Sequence, residues 1–241
     1  MADWLERTEL LVGEEALAKL ASSHVLICGL GGVGSYASEF IARSGVGKMT
    51  IMDGDVFDET NINRQLTALQ STVDVSKAEV LAARIRDINP SIQLTVLNEF
   101  LLPERIADII ESDRPHYVMD CIDSMTPKLA LIQYCFRTKI RIISSMGAGG
   151  KMDATRVQVA DISKVHNCVM GAHIRKRLKK ENIRTGFKAV FSSEMQHKDS
   201  LKMTSGVNFK KSFYGTISYM PALFGLHAAA EVIDYLTNRK P

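Results

Sequence analysis

Four glycines, Gly29, Gly31, Gly32 and Gly34, fall within six residues of CGLGGVGS (28–35), directly after an apolar run and directly before an amphipathic stretch. Glycines in that position permit a tight strand-to-helix turn and let backbone amides approach a phosphate, whose charge is favoured at a helix N-terminus. Asp53 follows Gly29 by 24 residues at the end of the next apolar run, where a carboxylate can accept hydrogen bonds from ribose hydroxyls. The glycines and Asp53 alone fit NAD as well as ATP. The segment that follows, DGDVFDETNINRQ (53–65), adds Asp55, Asn61, Arg64 and Gln65, and Lys77 comes shortly after. A planar guanidinium fork and a compact ammonium beside a phosphate site suit a triphosphate and its pyrophosphate leaving group, which hydride transfer does not need. A second pair of carboxylates, Asp120 and Asp123 in MDCIDS (119–124), ends another apolar run. Asp123 is the candidate magnesium ligand, because Mg²⁺ takes one or two carboxylates together with phosphate oxygens. Asp120 either joins it or caps the strand end.

These residues need a scaffold that gathers strand ends. HVLICG (24–29), KMTIMD (48–53), IQLTVL (92–97), HYVMD (116–120) and RIISS (141–145) have the β-branched, apolar character of strands. The stretches between them carry apolar residues at three- and four-residue spacing, with Ser76 placed to cap a helix and Pro103 and Pro127 at first-turn positions. Strand and helix in alternation predict an α/β, Rossmann-like, doubly wound and mainly parallel sheet. Residues 1–165 form the expected nucleotide-binding domain, which the family resemblance makes an ATP-binding adenylation domain. Residues 166–241 form a basic C-terminal segment and apolar helix packed on it, with 190–213 expected as a mobile loop or crossover. The apolar stretch 214–236 contains Gly215, Pro221, Gly225, Glu231 and Asp234. That composition favours a buried or dimer-facing final helix over membrane association.

Charge divides the chain. Of its 241 residues, 1–150 hold 14 Lys and Arg against 20 Asp and Glu, whereas 151–241 hold 16 against 7, a net of +9. Such an excess suits a polyanion, since each phosphate neutralised releases condensed counterions. Within HIRKRLKKENIR (173–184), Arg175 with Lys179 and Lys176 with Lys180 are four apart on one helix face each; Lys188, Lys198, Lys202, Lys210 and Lys211 extend the charge. Phe187, Phe191, Phe209, Phe213 and Tyr214 interleave and could stack on a base. Cys28, Cys121, Cys135 and Cys168 form no CxxC pair, which argues against a zinc ribbon; Cys168, in polar surroundings, is the one candidate for a reactive thiol. The N-terminus lacks a basic start and an apolar run, so the cytoplasm is the expected location.

GLGGVG, DGDVFDETNINRQ, Lys77 and DCIDS, in this order over residues 5–150, resemble the ThiF/MoeB/HesA adenylation family. The resemblance implies that the glycines and Asp53 hold adenosine and ribose, that Asn61 and Arg64 bind phosphates, and that Lys77 is the catalytic phosphate contact. It further implies that Asp123 binds Mg²⁺, and that Arg7 reaches the nucleotide of the second subunit in a homodimer. RTELLVGEEALAKL, DCIDSMTPKLALIQYC and MGAGGKMDATRVQVADISK narrow the similarity to the tRNA threonylcarbamoyladenosine dehydratase (TcdA/CsdL-type) branch. That branch implies adenylation of the threonylcarbamoyl carboxylate on tRNA, not DNA, then ring closure, with a cysteine desulfurase system as partner. An attacking nitrogen in the same nucleoside makes the step intramolecular and requires no enzyme thiol. The alternative is activation of the C-terminus of a ubiquitin-like or sulfur-carrier protein, against which the missing CxxC pair weighs.

Overall fold

The computed structural model describes residues 3–203 and 212–237. Two short helices, α1 (Glu6–Val12) and α2 (Glu14–Ala21), lead into β1 (His24–Cys28), α3 (Gly34–Arg43), β2 (Lys48–Met52), α4 (Lys77–Ile88) and β3 (Gln93–Leu97). Then come α5 (Ile106–Ser112), β4 (Tyr117–Asp120), α6 (Met125–Thr138), β5 (Arg141–Ser145) and β6 (Val157–Asp161). After these stand α7 (Val169–Leu178), β7 (Lys188–Ser192), β8 (Leu201–Met203), β9 (Ser212–Tyr214) and α8 (Tyr219–Leu236). Seven strands form one sheet in the order β3-β2-β1-β4-β5-β7-β6, parallel throughout except where β6 runs antiparallel to β7.

The side chains of β1 show why helices cover both faces. Val25 and Ile27 pack with α2, α3, α4 and α8, whereas Leu26 and Cys28 pack with α5, α6 and α7. A strand buried on both faces needs an unbroken apolar run, and HVLIC supplies it. Each such side chain removed from water contributes about 1.5–3 kcal/mol. Ser76 caps α4 by accepting from the Glu79 amide at 3.4 Å.

Two expectations fail in the C-terminal third. The loop foreseen at 190–213 begins inside a strand: β7 lies between β5 and β6, with Ala189 and Val190 fully buried. Five residues with no helical or turn punctuation carry too little local signal, and their partners, Ile143–Ser145 and Val157–Asp161, are distant in sequence. The chain then forms a two-stranded hairpin from β8 and β9; Phe209, Lys210 and Lys211 lie outside the described residues, as does the side chain of Lys198. The other miss is the pairing of Arg175 with Lys179 on a solvent face. Arg175 turns inward and donates to the Val165 carbonyl, because that carbonyl lies beneath the second turn of α7. α8 packs along α3 and against the sheet. Among the described residues, no helix is long and apolar enough to cross a membrane.

Candidate active site

The strand order reverses direction between β1 and β4, and at such a switch point the loops leaving the carboxyl ends open a crevice. The glycine turn leaves β1 on one side of it and the Cys121–Ser124 loop leaves β4 on the other. Gly29 has φ +87°, and a β-carbon there would stand 2.9 Å from the Cys121 carbonyl oxygen. A β-carbon at Gly34 would fall 1.8 Å from the Gly29 carbonyl oxygen. Only glycine allows the turn to close this tightly and the two loops to touch. Pro221, at the start of α8, sits over Gly32, so the final helix backs the turn.

Asp53 ends β2 and is locked to the turn: its carboxylate accepts the Leu30 amide at 2.6 Å and the Asp55 amide at 2.9 Å. Burial raises its pKa above the ordinary aspartate value, while the Leu30 hydrogen bond and the Lys77 charge act in the opposite sense. Lys77 is only 6% exposed and its ammonium lies 3.1 Å from the Asp55 carboxylate, its one ion pair among the described residues. Asn61 is buried in the capping turn begun by Asp58. Gln65 is buried beside Gly31, and its side-chain oxygen has no hydrogen-bond partner among the described residues. Arg64 donates to the Thr60 and Asn63 oxygens; burial lowers its pKa, and the Asp123 carboxylate opposes that shift from across the crevice.

The structure therefore brings the glycine turn, Asp53, Asp55, Asn61, Arg64, Gln65, Lys77 and Asp123 to one end of the sheet. Arg7 stays apart. It is exposed on α1, and its neighbour Leu5 packs against Gly45, at the end of α3 remote from the glycine turn.

A model described as ThiF family matches residues 5–241. The chain belongs to the ThiF family. The tRNA threonylcarbamoyladenosine dehydratase of Escherichia coli is 43% identical to it over 201 residues, which is 79% of this chain and 75% of that one. The Haemophilus influenzae protein of the same name is 37% identical over 237 residues, 94% and 90% of the two chains. The crystal structure of the E. coli enzyme in complex with ATP is 37% identical, with a TM-score of 0.88, and the match covers 99% of this chain and 97% of that one. A more distant relative, the E. coli molybdopterin-synthase adenylyltransferase, matches 58% of this chain at 37% identity.

In this ThiF-family chain Lys128 and Ser144, which no site motif covers, join Asp120 in a buried polar group. Asp120 and Lys128, both fully buried, meet at 2.7 Å. The Lys128 ammonium also reaches the Ser144 hydroxyl at 3.2 Å and the Ser145 carbonyl at 2.9 Å, while the Ser144 hydroxyl donates to Asp120 at 2.6 Å. The remaining Asp120 oxygen accepts the Ile122 amide at 3.1 Å. Asp120 is thus committed to tying β4, β5 and α6 together beneath the loop that carries Asp123. No spacing rule joins residues 120, 128 and 144; a lysine immediately before the apolar pattern LALIQYC (129–135) was the available signal.

The four cysteines are free and none is exposed. Burial pushes the Cys121 and Cys135 thiols up to about 12, and raises Cys28 as well. Cys168, the one thiol to consider as reactive though a structural role is the preferred reading, is buried, and its sulfur accepts the Gly171 amide at the start of α7.

Proposed function

We propose that this chain uses ATP to adenylate the carboxylate of N6-threonylcarbamoyladenosine in tRNA and then closes a ring with release of AMP. The observation that carries the adenylating half is the convergence of Lys77, Arg64 and Asp123 on the glycine turn, which supplies cations for a triphosphate and a hard oxygen ligand. The substrate follows from the named dehydratases, whose similarity extends over β6, α7 and β7. Similarity to a carrier-protein adenylyltransferase stops at little over half of the chain.

In this reading the glycine turn and Asp53 hold the adenosine, Asp55 and Gln65 line its phosphate side, and Asn61 and Arg64 bind the phosphates. The substrate carboxylate oxygen bonds to the α-phosphorus, the bond to the β-phosphate oxygen breaks, and pyrophosphate leaves into the field of Arg64 and Lys77. A nitrogen of the same nucleoside then attacks the activated carbonyl carbon, loses its proton, and AMP departs; the net loss from the nucleoside is one water. Mg²⁺ fits the residues present as a nucleotide-borne ion. No group of three or more potential metal-binding His, Cys, Asp or Glu residues occurs among the described residues, and one carboxylate, Asp123, with phosphate oxygens is a normal magnesium set. Bound there, it neutralises charge developing on the phosphates.

Residues 1–165 serve as the ATP-binding part and 166–241 as the basic part packed on it. Arg7 acts in the second subunit of a homodimer, a reading supported by the exposure of Leu10 and Leu11 beside it on α1. A cysteine desulfurase system is the proposed protein partner and the cytoplasm the proposed location. The test is incubation with ATP, Mg²⁺ and tRNA carrying the modified nucleoside, with nucleotides and nucleosides resolved by mass. AMP should form together with a nucleoside lighter by one water. ATP left uncleaved, or AMP formed with the nucleoside mass unchanged, sinks the proposal.

A further inference from the structure

The polyanion partner leaves a more specific trace than net charge. His173, Lys176, Arg177 and Lys180 line one shallow depression of about 250 Å³ along α7 and the turn that follows it. Their spacing of three, four and seven residues stacks them on a single face. All four are exposed, while Ile174 and Leu178 on the opposite side anchor the helix in the core. Arg175, turned in to the Val165 carbonyl, and Lys179, some 100° round the helix from the depression, do not belong to this row.

Two features distinguish the row from an ordinary solvated face. Among the described residues, Lys176, Arg177 and Lys180 have no carboxylate partner within 4.0 Å, and the neighbouring acid, Glu181, is engaged at 3.0 Å by Arg137 from α6. The cations are therefore held close together with their mutual repulsion uncompensated, an arrangement that favours an incoming anion. The other feature is position. α7 starts against the backbone that leaves β5: Gly171 packs on Met146 and Met170 approaches Gly147, both at the carboxyl end of the sheet where the candidate site opens. At 1.5 Å per residue, the row begins about 5 Å beyond Met170 at the rim of the site and ends about 15 Å beyond it.

We infer that this face of α7 is the docking track for the tRNA sugar–phosphate backbone flanking the modified nucleoside, with phosphates seated on Lys176, Arg177 and Lys180. The inference rests on the proposed tRNA substrate. It assigns that substrate a direction of approach, from the α7 side of the crevice.

The triple variant Lys176→Ala, Arg177→Ala, Lys180→Ala is compared with wild type and with a charge-matched control, Lys19→Ala, Arg86→Ala, Lys139→Ala. Affinity for tRNA bearing the modified nucleoside is titrated at several salt concentrations, with calorimetric ATP binding and thermal melting as checks on the fold. Removing three phosphate contacts should make the slope of log K against log salt shallower by about 2 and weaken binding at 0.1 M salt on the order of 10²-fold. The control should retain its slope, and ATP binding should be unchanged in all three proteins. If wild type binds tRNA and the α7 variant matches it in affinity and slope, the docking track is wrong and the proposed reaction stands. Equal losses in both triple variants also overturn it, since net charge alone would then account for binding. If wild type neither binds this tRNA nor cleaves ATP to AMP in its presence, the underlying functional reading fails.

Discussion

Lys77 and Lys128 are both buried lysines close to an aspartate, a few residues from the mouth of the same crevice, yet their surroundings differ in kind. Lys128 is saturated: a buried carboxylate, a hydroxyl and a carbonyl take its three protons. Among the described residues Lys77 has one ion-pair partner, Asp55, whose side chain is 40% exposed. A saturated buried ion pair fixes geometry and resists change, because removing one member strands the other in low dielectric. A buried ammonium with a single, solvent-facing partner can exchange that partner for a phosphate. Burial alone thus does not separate a structural lysine from a functional one; the number of its protons already engaged does.

The sharpest way to break this contrast is to delete each lysine and ask what is lost. Lys77→Ala should lower ATP–pyrophosphate exchange by about 10²–10³-fold, the cost of one transition-state donor, and Arg64→Ala should do likewise. Both variants should melt close to wild type. Lys128→Ala should instead cost about 3–5 kcal/mol in urea unfolding, and the double variant Asp120→Asn, Lys128→Met should recover most of it. If Lys77→Ala unfolds the protein as readily as Lys128→Ala, the distinction collapses.

A smaller effect sharpens the functional side. The burial that raises the Asp53 pKa means that, as pH falls, ATP affinity should be lost earlier than the ordinary aspartate value would give, and Asp53→Asn should abolish that dependence; calorimetric titration across acid pH measures both. Smallest is the response at the opposite end of the sheet. There His24 is buried against Thr50 at 2.9 Å, and burial lowers its pKa. The unfolded chain then binds the extra proton first, so stability is intact above the unfolded histidine value near 6.5 and falls as pH drops below it. Replacing His24 with Gln should flatten the urea midpoint over that range.

The residues of the proposed nucleotide site could be brought together from sequence because they are local. A glycine turn declares itself through backbone demands within six residues, and Asp53, Asn61, Arg64 and Lys77 sit in one continuous segment. The structural group could not. Asp120, Lys128 and Ser144 meet only after β4 pairs with β5 and α6 folds across them. The same reason hid β7, whose five residues acquire their strand identity from neighbours 27 to 45 positions earlier. Arg175 failed differently: helical spacing gave its direction on the wheel, but not the Val165 carbonyl waiting beneath it.

The insertion of β7 between β5 and β6 also has a consequence for the chain as it is made. The glycine turn and the loop that carries Asp123 are synthesised before Lys188. Until then β5 presents a bare row of amides and carbonyls, and β6, already synthesised, has no strand to pair with. An open edge of that kind invites pairing with a neighbouring chain. Synthesis of the last quarter therefore closes the sheet between β5 and β6 and also brings α8 against the glycine turn.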